Sequence, residues 1–156
     1  MQEKTNVMRI LDSKKVKYQA HYYGDSGAIS GIEVANELGE NLEQVFKTLV
    51  TRAHSMSYYV FVIPVSKELD LKKAAKSVNE KNVEMIKQKE LLPLTGYIHG
   101  GCSPIGMKKL FKTVIDITSK NYDTICISAG KVGYQVELNV NDLEKVIKVE
   151  YDDIVK

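Results

Sequence analysis

The segment best suited to chemistry runs from residue 95 to residue 106 and reads TGYIHGGCSPIG. It contains four glycines and one proline within twelve residues. Glycine lets a backbone adopt positive φ and approach a ligand closely, and clustered amide N–H groups bind an anion or a carbonyl oxygen. It is not a Walker motif, because no Gly-Lys-Ser/Thr follows the glycines. The pattern fits a ligand-binding loop and a structural turn between sheets equally well.

A second candidate is Lys47, which stands in the largely apolar run 45–50. On a strand, Lys47 shares one face with Val45 and Leu49. A lysine that points from such a face into a pocket can neutralise a phosphate or polarise a carbonyl group. Taken by itself, the pattern is explained more simply by an edge-strand lysine or by one whose ammonium reaches back to water.

Other residues carry weaker signals. The turn at 128–133, SAGKVG, has Ser128 and two glycines that could line a ligand site, although hairpin geometry explains them at least as well. Cys102 lies in the glycine-rich segment and invites interpretation as a nucleophile. The sequence places no particular histidine beside it, so a small buried residue is the favoured interpretation. Neither cysteine belongs to a CxxC pair and the histidines are scattered, so the sequence predicts no metal site.

The elements that must position these residues are recognisable from local patterns. Lys47 lies in a β-branched run that is predicted to pair with the run 58–65 as two strands. Ser30 and Glu33 form a capping box at the start of a helix that Gly39 ends. The other predicted elements are helices at 5–15, 70–78, 88–92 and 142–147 and strands at 17–23, 82–86, 113–117, 124–128 and 134–140. Helices and strands do not alternate strictly, which favours an α+β domain around one mixed, curled sheet.

The composition is that of one folded domain spanning residues 1–156. Of these residues, 44% are hydrophobic and 27% are charged, and the net charge is +2. The polar start does not resemble a secretory signal, and the longest apolar run, 58–65, is too short to cross a bilayer. We therefore expect a cytoplasmic protein with reduced thiols and no membrane partner. Lysine clusters at 14–17, 72–76 and 108–112 are compatible with phosphate contacts, but solvated helix faces explain them more simply.

Four segments, taken in order, resemble one known protein family. They are KTLV at 47–50, LDLKKAAK at 69–76, TGY with GGCSPIG within 95–106, and SAGK at 128–131. In this order they are similar to the YbaK/EbsC family, which comprises free-standing Cys-tRNA(Pro) deacylases and the related editing domain of bacterial prolyl-tRNA synthetases. The similarity covers nearly the whole chain, and its most specific part is the GGxSPxG element that follows KTL.

The resemblance implies a single α+β domain with a mixed, curled and barrel-like sheet flanked by helices. It implies an enzyme that releases mischarged cysteine from the 3′ end of tRNA(Pro), with prolyl-tRNA synthetase as a partner and with no metal or organic cofactor. Lys47 is then the expected essential lysine, near the terminal phosphate or the ester. Ser128 is the expected polar residue of the pocket. The pocket wall that holds the substrate's carbonyl or amino group is expected to include Gly100, Gly101, Cys102, Ser103, Pro104 and Gly106.

The chemistry that the resemblance implies does not require a Ser–His or Cys–His pair, and none is evident in the sequence. An aminoacyl ester is already activated, so binding it and stabilising the developing oxyanion can be sufficient for cleavage. The thiol of a cysteinyl substrate can itself attack the ester carbonyl and form a cyclic thioester. This hypothesis needs no nucleophile from the protein.

Two positions depart from the family pattern. Gln135 stands where such deacylases often carry an aspartate, and Ser30 stands where they often carry an aromatic residue. Both are expected in the substrate pocket, where they alter its size and polarity and therefore bear on amino-acid specificity. Two alternatives stay open: a deacylase for another small amino acid, alanine or serine, and a non-catalytic module that binds an aminoacyl or nucleotide ligand.

Overall fold

Local capping signals place most of the helices where the structure has them. The computed structural model describes residues 3–156. Thr5 caps the first helix by accepting a hydrogen bond from the Met8 amide at 3.3 Å, and Asp70 caps the third helix in the same way. The α-helices are α1 (Asn6–Ser13), α2 (Gly31–Leu38), α3 (Leu71–Ser77) and α4 (Gln88–Thr95). None of the helices within the described residues is long and apolar enough to cross a membrane.

The strands form two hydrogen-bonded sheets. They are β1 (Tyr18–Tyr22), β2 (Phe46–Ala53), β3 (Tyr58–Pro64), β4 (Val83–Met85), β5 (Lys112–Asp116), β6 (Thr124–Ser128), β7 (Tyr134–Asn139) and β8 (Val149–Asp152). The first sheet is antiparallel, in the order β1-β7-β6. The second is mixed, in the order β4-β2-β3-β5-β8, with β5 parallel to both β3 and β8. Val45, just before β2, forms an isolated bridge with Cys126 of β6.

The predicted α+β fold with mixed strands and flanking helices is confirmed. The expected single sheet is divided, because the link between β2 and β6 is an isolated bridge rather than a ladder. Within residues 3–156 the strands do not close into a barrel, since β4 and β8 are the two ends of the larger sheet.

Alternating side chains give the three-stranded sheet one apolar face and one polar face. The apolar face belongs to the main core and carries Ile125, Ile127, Val136 and Leu138. The opposite face carries Thr124, Cys126, Ser128, Gln135 and Glu137. His21 shares this polar face because it lies directly opposite Gln135 in the β1–β7 pairing. Glu40, which follows α2, contacts the polar face through Cys126 and Gln135.

Helix α4 is longer than the sequence predicts. The expected end before Pro93 is wrong, because the helix continues to Thr95 with the proline inside it. Thr95 Oγ1 donates to the Leu91 carbonyl at 2.7 Å, and Gly96 ends the helix in the left-handed region, with φ of 85°. Proline removes a single amide donor, and these two contacts stabilise the turn that follows it.

The C-terminal segment also differs from the predictions. The helix expected at 142–147 is instead a 3₁₀ turn over Val140–Lys145, capped by Asn139. The tail after it, for which the sequence predicts no element, forms strand β8 beside β5.

Candidate active site

A cleft of about 360 Å³ lies where β2, helix α2, the glycine-rich segment and the β6–β7 hairpin meet. Helix α2 contributes the residues at its N-terminal end, and β2 contributes residues 46–49. Side chains and backbone of several distant segments therefore surround one space. The cleft brings together these sequence-predicted site residues: Lys47, Ser30, Gly100, Cys102, Ser128 and Gln135.

Lys47 enters the cleft from β2, where it lies opposite Ile63 of β3. The side chain is half-buried, and none of the ion pairs among residues 3–156 includes it. The neighbouring hydroxyl of Thr48 is buried and has no hydrogen-bond partner in the described part of the chain. The cleft thus offers a ligand an ammonium group that no carboxylate of the described part of the chain engages.

The glycine-rich segment turns at Gly100, whose φ is +87°. A Cβ atom at this position would lie 2.8 Å from Cγ2 of Ile29, so glycine lets the turn close on the start of α2. A Cβ atom on Gly101 would instead lie 3.1 Å from the Val132 amide nitrogen. The amide of Gly101 donates to the Ile98 carbonyl at 3.0 Å. The turn is therefore held between the start of α2 and the β6–β7 hairpin.

The remainder of the glycine-rich segment lies outside the wall of the cleft. Ser103 and Pro104 are buried, and Ser103 Oγ accepts a hydrogen bond from the Ile105 amide at 3.3 Å. The Tyr97 hydroxyl donates to the Ile105 carbonyl at 2.5 Å, which ties the segment together. Contact with substrate stays a prediction for the expected wall residues that do not line the cleft, which are Gly101, Ser103, Pro104 and Gly106.

The environment of Cys102 does not favour a nucleophile. Burial raises the pKa of its thiol to about 12, so the sulfur stays protonated near neutral pH. The thiolate is the reactive form of cysteine, and its population is therefore very small here. Cys102 accordingly serves as part of the cleft wall, as a small and mostly apolar side chain.

Gln135, Ser128 and Ser30 differ in how their polar atoms are engaged. Gln135 Nε2 donates to Glu40 Oε1 at 3.0 Å, and its own carbonyl oxygen is buried without a partner among residues 3–156. Ser128 Oγ accepts a hydrogen bond from the Gly130 amide at 3.1 Å. The hydroxyl of Ser30 is engaged as the cap of α2, in the predicted capping box. Of the three, Gln135 is the one that combines a hydrogen-bonded amide nitrogen with an amide oxygen that has no partner among the described residues.

The residues that line the cleft belong to a known type of domain. The family model of the aminoacyl-tRNA editing domain matches residues 28–146. The chain belongs to the aminoacyl-tRNA editing domain family. Lys47, the glycine-rich segment and the β6–β7 hairpin of this editing domain all lie within the matched range. Its class of function is therefore aminoacyl-tRNA editing, with aminoacyl-tRNA as the substrate.

A sequence relative agrees with this assignment and confirms the resemblance to the YbaK/EbsC family. The editing domain is 47% identical over 138 residues to an Enterococcus faecalis (strain ATCC 700802 / V583) protein named "Putative Cys-tRNA(Pro)/Cys-tRNA(Cys) deacylase EbsC". The match covers 88% of this chain and 84% of that protein.

Two solved structures share the fold. One is described as "a putative trans-editing enzyme for prolyl tRNA synthetase", with a TM-score of 0.83 and 21% identity over 96% of this chain and 94% of that one. The other is "hypothetical protein APE2540", with a TM-score of 0.88 and 19% identity over 96% of this chain and 99% of that one. At such low sequence identity, these similarities show that the fold is shared and show nothing about function.

Most of the apolar wall of the cleft, and the polar residue Thr48, could not be predicted from the sequence. His99, which the sequence places in the glycine-rich segment, is exposed and lines the cleft beside Gly100. The apolar wall comes from separate segments, and each of its members is indistinguishable by type from a core residue. No local pattern groups them: Tyr23, Ile29, Val34, Val65, Leu91 and Ile127.

Proposed function

We propose that this editing domain releases cysteine from tRNA(Pro) that has been charged with the wrong amino acid. The observation that carries the proposal is the cleft at Lys47, where a lysine without a carboxylate partner among residues 3–156 lines the same space as the glycine turn at Gly100. The 47% identity to EbsC, whose name specifies Cys-tRNA(Pro) and Cys-tRNA(Cys), supports cysteine as the amino acid.

Lys47 acts on negative charge at the aminoacyl end of the tRNA. Its ammonium neutralises the phosphate next to the terminal nucleoside or stabilises the charge that develops on the ester carbonyl oxygen. Either role requires a cation that is not already paired, which fits the surroundings of Lys47. Because the cleft is partly shielded from water, such a charge has a larger effect on the transition state than it would in bulk solvent.

The substrate's own thiol supplies the nucleophile. The cysteine sulfur bonds to the ester carbonyl carbon, the ester C–O bond breaks, and the terminal ribose oxygen receives the proton from the thiol. The product is a cyclic thioester, which water then opens to cysteine. The protonated state of Cys102 near neutral pH supports this route over attack by a protein thiolate.

Prolyl-tRNA synthetase is the proposed source of the misacylated substrate and the proposed partner. Proline and cysteine are similar in size, and a pocket distinguishes ligands that differ by one methylene by only about 10–200-fold. A domain of 156 residues offers little surface for reading a whole tRNA. We therefore expect weak, salt-sensitive binding of tRNA by this domain alone and dependence on the synthetase for tRNA identity.

Deacylation of a panel of tRNA(Pro) species tests the proposal. tRNA(Pro) carrying cysteine, alanine, serine or proline is incubated with the protein, with and without prolyl-tRNA synthetase, and the remaining ester and the released product are measured. The proposal predicts rapid loss of cysteine, with the thiolactone as first product, and no loss of proline. Release of free cysteine with no trapped thiolactone would contradict the thiol route.

The same panel separates the alternatives. Loss of alanine or serine in place of cysteine retains the reaction and assigns a different specificity to the cleft that Gln135 and Ser30 help to line. No loss from any species, even with the synthetase present, contradicts deacylation and leaves a module that binds an aminoacyl ligand.

A further inference from the structure

A second group of chemically competent side chains lies next to the cleft, on the same polar sheet face. It consists of His21 on β1, Glu40 after α2, Cys126 on β6 and Glu137 on β7, and we call it the four-donor cluster. One nitrogen, one sulfur and two carboxylate oxygens of these residues all lie within 4.8 Å of one another. The sequence predicts no metal site, because these four residues are far apart along the chain and form no recognisable motif.

The fold explains how four distant residues meet. Cys126 and Glu137 lie directly opposite each other in the β6–β7 pairing, so their side chains project from the same face. His21 joins them from the adjacent strand, where it lies opposite Gln135. Gly39 ends α2 in the left-handed conformation, and Glu40, the residue after it, reaches the sheet.

The distances between donor atoms suit a single small metal ion. His21 Nε2 lies 3.0 Å from Glu137 Oε1 and 3.8 Å from Glu40 Oε2, and Cys126 Sγ lies 3.6 Å from Glu40 Oε2. Metal–ligand bonds of about 2.0–2.3 Å in a tetrahedral zinc site correspond to donor–donor separations of about 3.3–3.8 Å. These three separations lie within a few tenths of an ångström of that range, and no two donor atoms are more than 4.8 Å apart, so movements of about 1 Å or less would let all four surround an ion.

The outward-facing oxygen of each carboxylate is held by a neutral donor. Thr124 Oγ1 donates to Glu137 Oε2 at 2.6 Å, and Gln135 Nε2 donates to Glu40 Oε1 at 3.0 Å. The other oxygen of each carboxylate faces His21. Metal ligands are commonly oriented in this way, by hydrogen bonds to the atoms that do not bind the ion.

The cluster is also short of positive charge. Among residues 3–156, the carboxylates of Glu40 and Glu137 each contact the His21 imidazole, at 3.8 Å and 3.0 Å, and neither contacts a lysine or arginine. Two carboxylates that are only 12% and 28% exposed thus share one imidazole. A divalent cation would balance both carboxylates, and coordination would also favour the thiolate form of Cys126.

We propose that His21, Glu40, Cys126 and Glu137 bind one divalent metal ion, and that zinc is the metal that their nitrogen, sulfur and oxygen donors suit best. All four positions around the ion are taken by protein atoms, so the ion has a positioning role rather than a catalytic one. It fixes Glu40, whose other oxygen holds the amide of Gln135 in the wall of the cleft. The proposal of a metal site does not depend on which amino acid the cleft accepts.

Titration with cobalt tests the site directly. The protein is reduced, stripped with a chelator and titrated with Co²⁺ under anaerobic conditions, and the absorption spectrum is recorded. The proposal predicts one ion per chain, the visible bands of tetrahedral cobalt and a sulfur-to-cobalt charge-transfer band, all removed by one equivalent of Zn²⁺. Cys126→Ser is expected to abolish the charge-transfer band and to weaken binding by about tenfold or more. Cys102→Ser, which removes the cysteine outside the cluster, is the matched control and keeps the band.

Two further measurements keep the proposal testable if Cys126→Ser does not fold. Glu137→Gln keeps the shape of a partly exposed side chain and is expected to weaken cobalt binding by about tenfold or more without losing the circular dichroism of the wild type. Zinc added to the stripped wild-type protein is expected to raise its Tm. A wild-type protein that binds no cobalt and gains no thermal stability from zinc would overturn the proposal. A Cys126→Ser protein that binds cobalt with wild-type affinity and spectrum would overturn it as well.

Discussion

The polar face of the three-stranded sheet has two ends that differ in what lies across from them. At one end, Ser128 and Gln135 border a cleft of about 360 Å³ that a ligand can enter. At the other end, Cys126 and Glu137 meet Glu40 and His21 at hydrogen-bonding distances. The same alternation of side chains along β6 and β7 produces both ends. A polar strand face therefore forms an open cleft or a compact cluster depending on which segment packs over it, and over Cys126 and Glu137 that segment is the chain at Glu40.

Glu40 connects the two ends. Its Oε1 atom accepts the hydrogen bond from Gln135 in the cleft wall, and its Oε2 atom faces His21 and Cys126 in the four-donor cluster. The two ends can thus be perturbed separately through their own residues or together through this carboxylate. Substitutions confined to one end therefore separate the two, and a substitution at Glu40 affects both.

Replacement of Lys47 by alanine is expected to impair the function of the cleft and to leave the four-donor cluster unaffected. Loss of one positioned group that stabilises transition-state charge costs about 10²–10³-fold in rate. We therefore expect kcat/KM for deacylation of Cys-tRNA(Pro) to fall by that factor, while cobalt binding at the four-donor cluster is unchanged. Lys81→Ala, at an exposed position, is the charge-matched control and is expected to retain full activity. Full activity in Lys47→Ala, with the control behaving normally, would remove Lys47 from the mechanism.

Gly31→Ala alters the shape of the cleft rather than its charge. A Cβ atom on Gly31 would lie 2.1 Å from Cγ1 of Val65, and both residues line the cleft. Overpacking of this kind costs about 1–3 kcal/mol of stability, and we expect a higher KM for substrate as α2 shifts. The measurement is urea-induced unfolding together with deacylation kinetics. In the double variant with Val65→Ala, we expect part of the loss to be recovered; strictly additive losses would show that the predicted clash does not occur.

Glu40→Gln tests whether one residue couples the two ends. The change keeps the side-chain shape but replaces a charged hydrogen-bond acceptor with a neutral one. The hydrogen bond from Gln135 is then weaker by about 1 kcal/mol, which corresponds to roughly a fivefold change in an equilibrium constant. We expect a higher KM for substrate by about that factor and, because Glu40 is one of the four proposed ligands, cobalt binding that is weaker by about tenfold or more. Glu37→Gln, on the exposed side of α2, the helix that precedes Glu40, is the control and should change neither. An effect on only one of the two measurements would separate the cleft from the cluster.

Tyr97→Phe gives the smallest expected effect, because it removes one hydrogen bond from the glycine-rich segment and leaves the ring in place. Loss of the bond from Tyr97 to the Ile105 carbonyl is expected to cost about 1 kcal/mol of the free energy of unfolding at neutral pH.

The pH dependence of this variant provides a second check. Burial, and to a smaller extent Cys102, raises the pKa of Tyr97 from 10.0 to about 12. A group with a raised pKa in the folded state contributes stability that is complete below pH 10 and is lost as the pH rises towards 12. The stability difference between wild type and Tyr97→Phe should therefore shrink over this range in urea unfolding. A difference that stays constant with pH would contradict the assigned environment of the hydroxyl.

Much of the fold could be predicted from short-range signals. The capping box of Ser30 and Glu33 with Gly39 defines α2, because capping hydrogen bonds join residues within one turn of each other. Strands β2, β3, β6 and β7 were recognisable from β-branched runs, which favour extended backbone over short stretches. Such signals also placed Lys47 on a strand, whereas they left the glycine-rich segment open between a ligand-binding loop and a structural turn.

Strand β8 could not be predicted from short-range signals. Its side chains alternate between partly buried and exposed, but only over the four residues Val149–Asp152, which is too short a run to predict a strand, and it becomes one by pairing in parallel with β5. A parallel pair requires a long connection, so the partner cannot be read from neighbouring residues. Likewise, helix α4 continues through Pro93 because of contacts made by Thr95 and Gly96 beyond it.

The sequence by itself determined most of the local elements of this protein, the family to which it belongs and the position of Lys47 on a strand. Only the tertiary structure decided that Gly100 and Cys102 line the cleft whereas Gly101 packs against the β6–β7 hairpin. It also decided that the four-donor cluster forms beside the cleft. The physical reason is the same in each case: caps and alternation act over a few residues, whereas the contents of a site depend on which distant surfaces the packed sheets and helices bring together.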